Sequence, residues 1–224
     1  MRPVLLILVA NLIAYSQSVP SAPLQSTDDT ISVFELQHKI DPRALKEGRA
    51  ADSAYAKHNL TAYIQHVEKA VAIDPDYLIA RRNLGVAYLM VERYDDAVKQ
   101  FQDVLRLDPR SVLGYAALSC AYLQESRFAD AETAARRALD LDSTEQSSRY
   151  YLGLSLTLQH KNDAEALRNL QRVSNRFPKA HVASAEILER LGMKTAAKGQ
   201  LQEYLSSGDK DVRSQVNSWL SSLR

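Results

Sequence analysis

Residues 78–111 read LIARRNLGVAYLMVERYDDAVKQFQDVLRLDPRS, and this stretch decides the fold. At helical spacing, Leu84, Gly85 and Tyr88 fall on one face of a first helix, and Ala97, Phe101 and Val104 on one face of a second. The small residues Gly85 and Ala97 allow the two helices to approach closely, while Tyr88 and Phe101 fill the space beside them. Asp108-Pro109 closes the second helix, because the residue before a proline is pushed out of the helical region. A helix pair of this size cannot bury both of its faces alone, so it predicts neighbours of the same build.

The neighbours are present at a period of 34 residues. One period away, Pro109 becomes Pro75, Ala97 becomes Tyr63 or Ala131, Leu84-Gly85 becomes Leu118-Ser119, Tyr88 becomes Tyr122 and Tyr94 becomes Phe128. A fourth unit opens on Leu152-Gly153 and reaches Ala166, Leu170, Val173 and Pro178 one residue late, which predicts one extra residue in its turn around His160–Asp163. A fifth runs from His181 through Ile187, Leu191, Ala197, Leu201 and Tyr204, with a turn expected to be about three residues short.

The pattern over residues 44–206 resembles the tetratricopeptide repeat family, most closely in 78–111 and 112–145. Further units lie near 44–77, 146–180 and 181–207. The first departs most, with Ala50-Ala51 in place of Leu-Gly and Tyr63 in place of a small residue. The resemblance implies an all-α fold, a right-handed α-solenoid of about five helix-turn-helix repeats.

Helix ends follow from local chemistry. Asp41 followed by Pro42 reads as an N-cap with proline at the first helical position, starting a helix that runs to about Lys57. Asn59 caps the next, Leu60 to Ile73, which Pro75 ends. Helices are then expected near 77–91, 94–107, 111–124, 128–141, 145–159, 163–176, 179–191 and 194–206. After Ser206-Ser207-Gly208, residues 209–224 begin with a capping Asp209 and place Val212, Val216, Trp219, Leu220 and Leu223 on one stripe. That stripe predicts a C-terminal capping helix over the last repeat.

Residues 1–16 read as a secretory signal: Arg2, an apolar run Val4–Ala14 interrupted by Asn11, and the small-x-small site Ala14-Tyr15-Ser16. The run is shorter than the ~20 residues a transmembrane helix needs, so an exported protein, periplasmic or extracellular, is expected, with an uncleaved anchor as the alternative. Gln17–Thr30 reads as a flexible lead-in, and Ile31–Ile40 as an N-terminal extension covering the open face of the first unit. Loss of Arg2 would leave 27 basic residues against 27 acidic ones, a balance without the basic excess that nucleic acid or an anionic membrane surface requires.

No catalytic constellation stands out. Five histidines are scattered without metal-ligand spacing, there is no glycine-rich phosphate loop, and no cofactor is implied. Glu186 and Glu189 share a helical face but read as solvated carboxylates, and the single cysteine, Cys120, reads as a packing residue more readily than as a reactive thiol.

What remains is surface. In the tetratricopeptide family the first helix of each pair lines a concave groove. Carried onto this chain, its groove positions give Arg49, Asp52 and Tyr55 in the first unit and Arg82, Asn83, Val86 and Met90 in the second. They give Ala116, Cys120 and Gln124 in the third, and Tyr150 and Tyr151 in the fourth. Leu89, Leu123 and Leu154 on the same stripe read equally as helix-to-helix packing. The family's clamp for an acidic chaperone tail needs basic or amide residues where this chain has Gly48, Asp52, Leu113 and Ala117, so that ligand is excluded. The resemblance implies a non-enzymatic scaffold that binds an extended peptide or helix of a partner protein, with Arg82 and Asn83 as polar handles spare for stability. The alternative is a structural envelope component that stacks with other chains through its convex face or termini, for which a homo-oligomer is compatible.

Overall fold

The computed structural model describes residues 37–223; the signal, the lead-in and most of the N-terminal extension lie outside the described residues. The described residues form eleven α-helices and no strand. They are α1 (Pro42–Ala56), α2 (Leu60–Ile73), α3 (Leu78–Met90), α4 (Tyr94–Leu107), α5 (Val112–Gln124) and α6 (Phe128–Leu141), then α7 (Gln146–Leu158), α8 (Asp163–Val173), α9 (Lys179–Arg190), α10 (Lys194–Ser206) and α11 (Arg213–Ser222). Two compact segments divide them, 37–121 and 122–223, with the boundary inside α5.

In the first segment α1 packs on α2, α2 on α3 and α3 on α4. The Asp41 carboxylate accepts from the Arg43 amide at 2.7 Å beside Pro42, and the Asn59 side chain accepts from the Ala62 amide at 3.0 Å, so both expected caps form. Asp74 and Asp108 stand in extended backbone before their prolines and end α2 and α4. Between α3 and α4 the approach is as close as the small residue allows: a Cβ added to Gly85 would sit 2.6 Å from the Phe101 ring. Ahead of α1, Asp74 gathers the chain end. Its carboxylate contacts His38 Nε2 at 2.9 and 3.0 Å and accepts from the Asp41 amide at 2.9 Å.

In the second segment α6 packs on α7, α7 on α8, α8 on α9 and α9 on α10. Gly153 of α7 repeats the close approach, its missing Cβ lying 2.7 Å from Leu170 of α8. The turns within the helix pairs share one device, a residue in the left-handed region at the tip: His58, Glu92 and Ser126, then His160 and Gly192. The fourth turn holds the extra residue that the sequence predicts, and it needs a second left-handed residue, Asn162 (φ 46°), whose side chain caps α8 through the Glu165 amide.

Two expectations are corrected. The shortening expected in the turn of the fifth unit lies ahead of that unit: the turn has the usual three residues Leu191–Met193, and it is α8 of the fourth pair that is short, with 11 residues where α4 and α6 each have 14. The capping helix starts at Arg213 rather than at Asp209. Gly208 (φ 84°) turns the chain, and the Asp209 carboxylate is occupied by the Tyr204 hydroxyl at 2.9 Å and the Asp211 amide at 2.9 Å. The apolar stripe is otherwise as expected. Val212, Val216, Trp219 and Leu223 are buried and Leu220 is half-buried, with Trp219 Nε1 donating to Glu189 Oε2 at 2.7 Å and Lys179 reaching Asp211 at 2.7 Å.

Candidate peptide-binding face

The first helices of the pairs carry every residue that the groove reading selects, and the two segments treat them differently. In the first segment Arg49 and Tyr55 of α1 are exposed and Asp52 is half-buried; Arg82, Val86 and Met90 of α3 are half-buried. Asn83 is 7% exposed, and Ala116 and Cys120 of α5 are buried. Arg49 and Arg82 have no ion pair or side-chain hydrogen bond among the described residues.

Arg81, next in sequence to Arg82, does the opposite. It is buried, its Nη1 donating to Asp103 Oδ2 at 2.7 Å and to Gln100 Oε1 at 3.2 Å, and its Nε donating to the Pro75 carbonyl. The same device returns two repeats later, where Arg149 donates to the Ser143 carbonyl and, at 3.4 Å, to Asn169 Oδ1. Both arginines tie the loop entering a helix pair to the second helix of that pair. Sequence reading passes over them, although the matching triplets Pro75–Arg81–Gln100 and Ser143–Arg149–Asn169 offered a signal.

Asp52 stands near the Tyr63 and Tyr77 hydroxyls. Burial first, and then the Asp52 charge, push Tyr77 up to about 12, so it stays a neutral phenol at physiological pH. Tyr63, at the place of the family's small residue, is buried and packs against Tyr55 with ring centroids 5.5 Å apart.

In the second segment the positions equivalent to Arg82, Asn83 and Val86 are Tyr150, Tyr151 and Leu154, and all three are buried. Tyr150 stacks on Phe177 at 4.6 Å between centroids and lies against Tyr151 at 5.9 Å. All nine residues from Tyr150 to Leu158 are buried, so α7 is enclosed on every side. Gln124 is half-buried, with its amide nitrogen enclosed and without a hydrogen-bond partner among the described residues.

Glu189 accepts from Trp219 and holds the cap. Cys120 is buried and forms no disulfide. Among the described residues no cluster of histidine, cysteine and carboxylate side chains could hold a metal, and no helix is long and apolar enough to cross a membrane.

Comparison with known proteins agrees with this architecture. Two sequence models of the tetratricopeptide repeat match, one over residues 79–111 and the other over 116–172. The curated proteins contain no match. The chain is similar in fold to the crystal structure of MamA, at 21% identity and a TM-score of 0.62, over 73% of this chain and 96% of that one. It is similar to TTC0263, a thermophilic tetratricopeptide protein of Thermus thermophilus, at 19% identity and a TM-score of 0.60, over 80% and 98% of the two chains. It also resembles YrrB, described as a tetratricopeptide protein with an unusual peptide-binding site, at 18% identity and a TM-score of 0.58, over 79% and 93%. With the 34-residue period, the paired helices and the two matched repeat models in agreement, the chain is a tetratricopeptide-repeat protein.

Proposed function

We propose that this protein is a non-enzymatic scaffold that binds an extended peptide or helix of a partner protein on the face built by α1 and α3. Tetratricopeptide repeats generally serve protein–protein interaction. One observation carries the choice of face: Arg49 and Arg82 are left without partners, whereas Arg81 on the same helix is fully engaged. An arginine held by a carboxylate is committed to the fold; one that is free beside apolar Tyr55, Val86 and Met90 is available to a ligand. Asn83, next to Arg82 in sequence, is buried and is not part of the proposed contact surface. Export of the protein by cleavage of residues 1–16 belongs to the same proposal, supported by the apolar run and the small-x-small site.

Photo-crosslinking from Met90, with Lys99 on the exposed side of α4 as control, tests the face. A defined partner captured from Met90, not from Lys99, and reduced about tenfold by Arg49→Glu with Arg82→Glu supports it; such a loss is the size expected when charged contacts at the centre of an interface are removed. Equal capture from both positions, or capture of a second copy of this chain together with a dimer mass by light scattering, would favour the stacking alternative. Amino-terminal sequencing of the mature protein should start near Gln17; an intact Met1 on membrane-held protein refutes export.

A further inference from the structure

The longer turn of the fourth helix pair does more than join α7 to α8. It carries Gln159 and Lys161 onto the buried carboxylate of Glu132 in α6, at 2.9 and 3.1 Å, and Gln159 also donates to the Phe128 carbonyl at 3.2 Å. Arg136, one turn along α6, completes a chain of charges. It donates to Glu132 at 3.0 and 3.1 Å, and its other contacts reach Glu165 at the start of α8 at 2.6 and 3.0 Å. Asn162, the inserted left-handed residue, donates to Glu165 at 2.8 Å. Two carboxylates and two cations thus bind α6 to both ends of the turn, with Glu132 8% exposed.

The matching place in the first segment is simpler. Glu68 of α2 accepts from the Tyr88 hydroxyl at 2.8 Å and meets Arg93 at 3.5 Å, and Arg93 also donates to Asp96 of α4 at 2.6 Å, all three charged groups being far more exposed than Glu132. In the second segment Arg136 stands where the repeat places Glu68, so the signs are exchanged: the cation is on the preceding helix and its carboxylate, Glu165, on the following pair.

We propose that Glu132, Arg136, Lys161 and Glu165 form an acid-releasable lock that holds the α7–α8 pair against α6. Glu132 meets Arg136 on its own helix and Gln159 and Lys161 from the turn; Glu165 meets Arg136, Asn162 and, along α8, Arg168. Asp163 and His160 of the same turn are engaged instead by Arg190 of α9. Burial alone would raise the Glu132 carboxyl, but the bonds from Lys161, Gln159 and Arg136 outweigh it and hold it below the usual range; Arg136 first of all does the same for Glu165. A carboxylate lowered on folding contributes its stabilisation above its unfolded value, near 4.5, and loses it as the pH falls through the folded value. Acid therefore discharges both glutamates and leaves Arg136 and Lys161 without these counter-charges. The pair released is the one that encloses Tyr150 to Leu158, so the lock guards the most apolar helix face of the segment.

Hydrogen exchange on the full chain, corrected for intrinsic rates, tests the lock with residues 78–107 as internal reference. On lowering the pH from 7 to about 3.5, amides of 146–173 should lose protection before those of 78–107. Glu132→Gln with Glu165→Gln keeps shape and removes charge. It should raise exchange of 146–173 at pH 7 by about tenfold and flatten the response to acid. If circular dichroism shows that this variant does not fold, Lys161→Met, which removes a single exposed partner, should raise exchange there by about threefold. Simultaneous loosening of both segments in the wild type, or wild-type protection at pH 7 in whichever variant folds, overturns the proposal.

Discussion

Helices α3 and α7 occupy the same place in the repeat, two periods apart, yet α3 presents Arg82, Val86 and Met90 at least partly to solvent while α7 hides Tyr150, Tyr151 and Leu154. Their packing faces are alike, Leu84-Gly85 in one and Leu152-Gly153 in the other, all buried. The contrast teaches that the repeat pattern fixes which side of a helix turns toward its pair and leaves open what becomes of the other side. In α3 that side stays partly open at Arg82, Val86 and Met90; in α7 its tyrosines and leucines are enclosed.

The widest separation between the two helices should come from their ninth positions. Leu154→Ala empties a site that is 1% exposed and should cost about 2–5 kcal/mol, whereas Val86→Ala, half-buried, should cost less than about 1 kcal/mol. Chemical denaturation of the two variants checks this, and equal costs would erase the distinction between an open and an enclosed face. The glycines should sharpen the comparison. Gly85→Leu drives a side chain into the Phe101 ring 2.6 Å from the new Cβ, and Gly153→Leu into Leu170 at 2.7 Å. Both should cost about 1–3 kcal/mol or more from overpacking. Gly85 should suffer more, because both neighbours are fully buried and a rigid ring yields less readily than a branched aliphatic tip; the order of the two melting temperatures decides it.

The smallest effects divide two neighbours. Asn83→Ala removes an amide that is 7% exposed and should destabilise by about 1–3 kcal/mol, while Arg82→Glu, at a half-buried site with no partner to lose, should move stability by about 0.5 kcal/mol. Sequence reading treats both as spare handles. Parallel urea curves separate them, and equal shifts would mean that α3 is no more open at one position than at the other.

Much of the fold was legible because its signals are local. Asp41-Pro42, Asn59, Pro75 and Pro109 set helix ends that the structure reproduces to within a residue, and the late arrival of Ala166 announced the longer fourth turn. What escaped depends on contacts distant in sequence. Arg81 and Arg82 are the same letter on adjacent positions, and only Asp103 and Gln100 on the facing helix tell them apart. Asp209 looked like a helix cap until the Tyr204 hydroxyl engaged its carboxylate. Burial of Tyr150 and Tyr151 was equally out of reach, since a position in the repeat does not specify its cover.

The polar ties that close the helix pairs have a kinetic meaning. His66 meets Glu47 and His181 meets Gln200 across 19 residues, Arg81 reaches Asp103 across 22, and even the Asp74 hub reaches His38 over only 36. None of these contacts waits for the far end of the chain, and loops this short close at little entropic cost. Architectures dominated by near-neighbour contacts fold quickly, so each pair can acquire its native ties soon after its own residues become available, well before the cap at Trp219 is in place.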